Sequence, residues 1–230
     1  MRAARGRFHN LGSMRVEWYG QAAFRLAAGD RSVFIDPFGD MSGVAARGME
    51  FNYPPIEGAE ADLLLVTHEH RDHNAVEAVG GSPRVVRTVG THDDDVVGIA
   101  SEHDPEAGTK RGANTIFAFT LDGLRVAHFG DFGQAALRDE QAAALGTVDL
   151  LFIPVGGGLT IGAEQAAEIA GRVQARWIVP MHYRTERINF LEPVDDFLTR
   201  FEHVARLDST HFELGELPDQ RPLVVVPAAP

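Results

Sequence analysis

Apolar and polar residues alternate along the first half of the chain in a pattern that predicts short strands. Met14–Tyr19 and Ala23–Leu26 read as strands joined at Gly20, with Arg31–Ile35 following the turn at Gly29 and Asp30. Asp62–Val66 reads as another strand, broken by the polar stretch Thr67–His73, and Asn74–Val79 as a short helix. Arg84–Val89, Val96–Ala100, Thr115–Leu121 and Leu124–Phe129 continue the strand pattern. Asp122-Gly123 between the last two is a hairpin signal, since both residues tolerate positive φ.

After Gly133 the period changes. Ala135–Leu145 predicts a helix, Val148–Val155 a buried strand, and 163–174 an amphipathic helix with a small apolar face of Ala163, Ala166, Ala167, Ala170 and Val173. Trp177–Pro180 reads as a strand, Val194–Ala205 as a helix and Leu223–Val226 as a final strand. Strands first and strand–helix alternation afterwards predict an α/β fold of two face-to-face sheets with helices outside. The segment 38–60 has little periodicity yet carries Met41, Met49, Phe51 and Tyr53. A loop that long is often functional, and these side chains are expected in a pocket wall or an oligomer contact. Residues 1–13 read as a flexible extension and 14–230 as one domain.

Composition narrows the function classes. The chain has 230 residues and a net charge of −12, with Lys110 its single lysine, so it lacks the basic footprint of a nucleic-acid binder. No apolar run approaches the roughly 18 residues of a membrane span, and no apolar stretch follows Arg2, Arg5 and Arg7 as in a secretory signal. There is no cysteine, so any metal must be held by nitrogen and oxygen. These readings point to a cytoplasmic protein with a small-molecule substrate, no nucleic-acid partner and no membrane anchor; a homo-oligomer stays open.

The stretch Thr67-His68-Glu69-His70-Arg71-Asp72-His73 carries the strongest chemistry. Three imidazoles and a carboxylate within six residues, directly after an apolar strand, are costly to bury unless something satisfies them. A divalent metal does so, because neutral imidazole and carboxylate are zinc-type ligands. A strand end leading into a turn lets His68 and His70 face one ion while Asp72 and His73 face another. His128 alternates with Asp131 along its strand and should point to the opposite face. His92 and His103 both remain open as a further ligand.

The His-x-His-x-Asp-His run resembles the signature of the metallo-β-lactamase superfamily. Ile35-Asp36-Pro37, Ser101-Glu102-His103-Asp104 with Arg111-Gly112-Ala113-Asn114-Thr115, Phe129-Gly130-Asp131-Phe132-Gly133 and Pro180-Met181-His182-Tyr183 resemble its other motifs in order. The branch most similar is the Zn-dependent hydrolases that include the ascorbate-6-phosphate lactonases. The resemblance implies a four-layer αβ/βα sandwich and two divalent metal ions, Zn2+ or alternatively Mn2+. One ion would take His68, His70 and His103, and the other Asp72, His73 and His182, with Asp131 as the bridge. It favours His103 over His92 and makes Asp36 a carboxylate that orients a ligand histidine.

Its diiron relatives place Glu where this chain has His70, which argues against redox chemistry, and the absence of cysteine argues against antibiotic hydrolysis. Gln21 stands where many relatives carry histidine. The implied reaction is hydrolysis by a water that two ions about 3.5–4 Å apart activate, with Asp72 and Asp131 catalytic. Arg111, Asn114, Tyr183 and Arg184 are the expected substrate contacts. The expected substrate is a small ester, lactone or phosphorylated metabolite; alternatives are a phosphodiesterase and a non-catalytic binding protein.

Overall fold

A computed structural model describes residues 14–93, 95–158 and 160–230; the expectation for residues 1–13 lies outside the described residues. Two mixed sheets pack face to face in an α/β sandwich with few helices. The N-terminal strands are β1 (Arg15–Gly20), β2 (Ala23–Ala28), β3 (Arg31–Ile35), β4 (Leu63–Leu65) and β5 (Arg84–Val86). Then come β6 (Gly90–Thr91), β7 (Val97–Glu102), β8 (Ala113–Leu121), β9 (Leu124–His128), β10 (Leu150–Pro154) and β11 (Trp177–Met181). The last three are β12 (Val204–Arg206), β13 (His211–Glu213) and β14 (Leu223–Val226). The α-helices are α1 (Asp139–Leu145), α2 (Ala163–Val173) and α3 (Asp195–Leu198). One sheet has the order β13-β1-β2-β3-β4-β5, the other β12-β14-β11-β10-β9-β8-β7-β6.

Side-chain parity explains how the first sheet is buried on both faces. Val33, Ile35, Leu63 and Leu65 join the core between the sheets, whereas Phe34 and Leu64 point the other way. That outer face is covered by 38–60, where Phe38, Tyr53, Ile56 and Ala59 pack on Phe34 and Leu64. Only a 3-10 turn, Ser42–Arg47, interrupts this loop. Phe51 and Tyr53 therefore work as a lid on the sheet, with Phe51 and Tyr53 rings 5.3 Å apart, and Met41, Phe51 and Tyr53 also wall a cavity of about 430 Å³. On the second sheet β10 and β11 are buried throughout, as expected of parallel strands with helices above.

The hairpin at Asp122-Gly123 forms with φ of 49° and 76°. Three helix expectations change. Val194–Ala205 is not one helix: α3 stops at Leu198, and Val204, Ala205 and Arg206 pair in parallel with Val224, Val225 and Val226. Sheet pairing at an open edge overrides helical periodicity there. Asn74–Val79 shortens to a 3-10 turn at Val76–Ala78, and 135–138 precede the first turn of α1, whose entry is held by Gln141 Oε1 accepting from Arg138 N.

Strand direction places the site. β3, β4, β7, β9 and β11 all point their carboxyl ends to one edge of the sandwich, because β3 and β4 are parallel, β9, β10 and β11 are parallel, and β7 reaches β9 through two antiparallel steps. Asp36, Thr67–His73, His103, Asp131 and His182 follow those five ends.

Candidate metal centre

Asp36 organises the loop beyond β4. Its side chain is fully buried; Oδ1 accepts from Thr67 N at 2.8 Å, and Oδ2 accepts from Thr67 Oγ1 at 2.7 Å. The same Oδ2 lies 2.9 Å from His73 Nδ1. With Nδ1–H donating to this carboxylate, His73 Nε2 is left free to face the interior of the site, the arrangement that sets tautomer and basicity in ligating histidines. Thr67 Oγ1 lies 3.0 Å from His68 Nδ1 and turns His68 Nε2 into the site, where it lies 3.0 Å from His70 Nδ1. Asp36 adopts φ of 51°, a left-handed conformation that costs a non-glycine residue roughly 1–3 kcal/mol and persists because three contacts hold it. Removal of the carboxylate in Asp36→Ala is expected to lower metal affinity by about 10–100-fold, the usual cost of losing such a partner. Competition with a chromogenic chelator measures it; an unchanged affinity would reduce Asp36 to a turn residue.

The Gly130-Asp131 turn is fitted into a narrow space. Gly130 has φ of 55°, and a Cβ there would lie 2.5 Å from Asn114 Oδ1 and 2.6 Å from Thr67 Cβ. Asp131 N donates to Asn114 Oδ1 at 3.0 Å, while Asn114 Nδ2 donates to Ser101 Oγ and Phe129 O. A backbone bond from Thr115 N to Thr67 O, 2.9 Å, ties the two sheets together at the same point. Gly133 N donates to Glu102 O beside His103, and His182 N donates to Gln21 O.

These ties converge seven side chains. His68, His70 and His103 offer ligand atoms within 4.8 Å of one another, and Asp72, His73 and His182 do the same. Asp131 lies between the groups: His103 Nε2 is 3.0 Å and His182 Nε2 3.3 Å from its Oδ2, and His73 Nε2 is 3.3 Å from its Oδ1. His73 Nε2 and Asp131 Oδ1 are buried with no hydrogen-bond partner. Orphaned buried lone pairs on this donor set are what a bound cation would satisfy, so the residues fit a metal.

The electrostatics of four of these groups agree, those of His68, His70, His182 and Asp131. Burial, reinforced by the neighbouring histidines, pushes His68 well down from its ordinary value; burial does the same to His70 and His182. Burial alone would raise Asp131, but His182 and His73 outweigh it and hold the carboxylate well below its usual range. Burial would also lower His73, yet Asp131, Asp72 and Asp36 outweigh it and raise this imidazole. Three neutral imidazoles and an ionised carboxylate are the protonation states that ligation requires.

The other expected residues are placed as follows. His92 is half-buried, its Nε2 2.8 Å from Thr88 O and outside both groups, so His103 is the histidine the fold brings in. His128 points away, as parity requires: its Nε2 lies 3.0 Å from Ala22 O, and burial pushes its pKa down to about 4. Asn114, expected as a substrate contact, is 1% exposed and accepts from the Asp131 backbone N. Tyr183, expected in the same role, is buried against Trp18, with ring centroids 5.6 Å apart, and burial pushes its phenol up. Arg111 is exposed and its backbone N caps Asp104 Oδ2. Arg184 is exposed, with Nε donating to Leu191 O at 2.6 Å.

Thr67, Ser101 and the carbonyl of Gln21 were missing from the sequence reading. Only the position of Thr67 directly before His68 hinted at its part. Gln21 itself is buried, has φ of 52°, and neither polar atom of its side chain has a partner.

Two packed sheets with histidines and aspartates gathered at the strand ends define the metallo-β-lactamase class. A sequence profile of the Beta-lactamase superfamily domain matches residues 15–182. A UPF0173 metal-dependent hydrolase of Thermococcus kodakarensis is 33% identical over 202 residues, covering 75% of this chain and 85% of that protein. The structure of a metallo-β-lactamase superfamily protein from Thermotoga maritima superposes with a TM-score of 0.75 at 33% identity, over 93% of this chain and 98% of its own. Igni18, a metallo hydrolase of Ignicoccus hospitalis, shares the fold with a TM-score of 0.53 at 20% identity, over 75% and 83% of the two chains. The chain belongs to the metallo-β-lactamase superfamily and, within it, to the UPF0173 metal-dependent hydrolase family. Among the described residues no helix is long and apolar enough to cross a membrane.

Proposed function

We propose that this chain is a dinuclear zinc hydrolase acting on a small ester, lactone or phosphorylated metabolite. The observation that carries the reading is the pair of three-residue ligand groups on either side of Asp131. His68, His70 and His103 would hold one ion, Asp72, His73 and His182 the other, and Asp131 both. Five imidazoles and two carboxylates without thiolate suit zinc, a borderline-soft ion, better than the harder manganese. When bound, such a pair supplies an activated water and a Lewis acid for the developing oxyanion.

The protein's own residues do the rest. Asp36 and Thr67 fix the tautomers of His73 and His68, and Asn114 fixes Asp131. Asp72 has a side chain 21% exposed against 4% for Asp131, so it is the carboxylate placed to orient or take up a proton from the incoming water. Turnover of p-nitrophenyl esters or lactones by the purified protein, abolished by chelator, is the expected result. Turnover of bis-p-nitrophenyl phosphate alone would transfer the assignment to phosphodiesters. No turnover of any of them would favour a binding protein.

Arg184, two residues beyond His182, gives a finer test. A charge-assisted bond to an anionic substrate contributes about 1.5–3 kcal/mol, so Arg184→Ala should cost roughly tenfold or more in kcat/KM for an anionic ester and spare a neutral one. Equal losses for both would leave the side chain only its bond to Leu191 O.

A further inference from the structure

The amino ends of the parallel strands carry a second cavity, of about 480 Å³, formed where the chain enters β10, β11 and β14 and where α2 ends. The metal centre lies beyond the carboxyl ends of the same strands. Five residues of β10 at about 3.3 Å each put roughly 16 Å between them, so the two spaces are separate. Val148 and Phe201 give this cavity apolar wall, and Arg176 and Arg221 bring two guanidinium groups to it.

Those cations are poorly matched by the protein. Arg176 is stacked over Trp177, 4.0 Å from the ring centroid, with its side chain only 17% exposed. Its Nε is buried and has no hydrogen-bond partner. Arg176 and Arg221 share a single oxygen, Oδ1 of the largely exposed Asp219, at 3.2 and 3.4 Å. The acid within the wall, Asp149, uses Oδ2 to accept from Arg125 N at 2.8 Å. Burial and the like charge of Arg221 lower the pKa of Arg176 and outweigh the opposing pull of Asp219 and Asp149, a state an added anion would relieve.

Gly171 shows that the space is left open. It lies inside α2, where glycine costs about 0.8–1 kcal/mol relative to alanine, yet a Cβ built there meets nothing within 4 Å. No close approach or positive φ demands glycine at this exposed point, which lines the cavity.

We infer that this cavity binds a small amphipathic carboxylate, its apolar body on Val148 and Phe201 and its carboxylate on Arg176 and Arg221. Planar guanidinium forks pair with carboxylates two bonds at a time, and a cavity of this size suits a small-molecule ligand.

Calorimetric titration of the whole protein with octanoate and with 1-octanol tests it. Saturable one-to-one binding of octanoate is expected, at least tenfold tighter than 1-octanol. Gly171→Leu should abolish that binding while keeping the circular-dichroism spectrum and melting temperature. Arg221→Met, at an exposed position, should weaken it about tenfold or more, and it decides the matter alone should the leucine variant not fold. Octanoate binding that survives both substitutions would place the carboxylate elsewhere, the metal centre included, and overturn the assignment. Equal affinity for 1-octanol, or no saturable binding of octanoate, would overturn it as well.

Discussion

His103→Ala is expected to lose more than about a hundredfold in hydrolytic activity together with one bound ion, and His92→Ala to lose almost nothing. Losing even an outer partner of a ligand typically costs 10–100-fold, so losing the ligand itself should exceed that range. The contrast follows from position. His103 is buried beside Asp131, with Nε2 at 3.0 Å from its carboxylate, and it completes the group with His68 and His70. His92 is half-buried just after β6, with its ring toward Thr88 O and away from the ligand groups. Activity and metal content measured on both variants check the pair. Loss in His92→Ala with His103→Ala intact would mean that the loop after β7 does not build the centre.

Purification without chelator is expected to yield two divalent ions per chain, and their removal to lower thermal stability markedly. An ion present at a thousand times its dissociation constant stabilises the fold by about 4 kcal/mol. For a domain of this size each 1 kcal/mol moves the midpoint by roughly 2–4 °C, so removing one such ion should shift it by about 8–16 °C. The physical source is the loss of the cation that His73 Nε2 and Asp131 Oδ1 otherwise lack a partner for. Elemental analysis and a melting curve with and without EDTA read both quantities. A protein grown with ample metal that carries no stoichiometric transition metal and melts unchanged in EDTA would remove the basis for a hydrolytic reading.

The strands and the seven metal-type side chains were legible in the sequence because their signals are local. Alternation of apolar residues marks a strand without knowledge of its neighbours, and a carboxylate and three imidazoles packed into His68–His73 have few other uses. Parity alone turned His128 away from Asp131. The residues that hold the ligands were less visible, because their partners are far along the chain. Asn114 bonds across 17 positions to Asp131, and Asp36 across 37 to His73. Nothing in the neighbourhood of Asn114 or Tyr183 reveals that one is enclosed by Gly130 and Ser101 and the other by Trp18, so both read as substrate contacts although each is buried.

Tertiary pairing also decided between helix and strand at 204–206. The open edge of β14 offers hydrogen-bond partners to Val204, Ala205 and Arg206, and sheet pairing there outweighs a weak helical period. By itself the sequence determined the class of chemistry, the candidate ligand side chains and most of the strands. Only the packing of two sheets decided which histidine joins which group, which polar residues serve the ligands, and where a second cavity opens. The reason is that ligand chemistry belongs to single side chains, whereas burial and hydrogen-bond satisfaction belong to segments that meet only once the chain has folded.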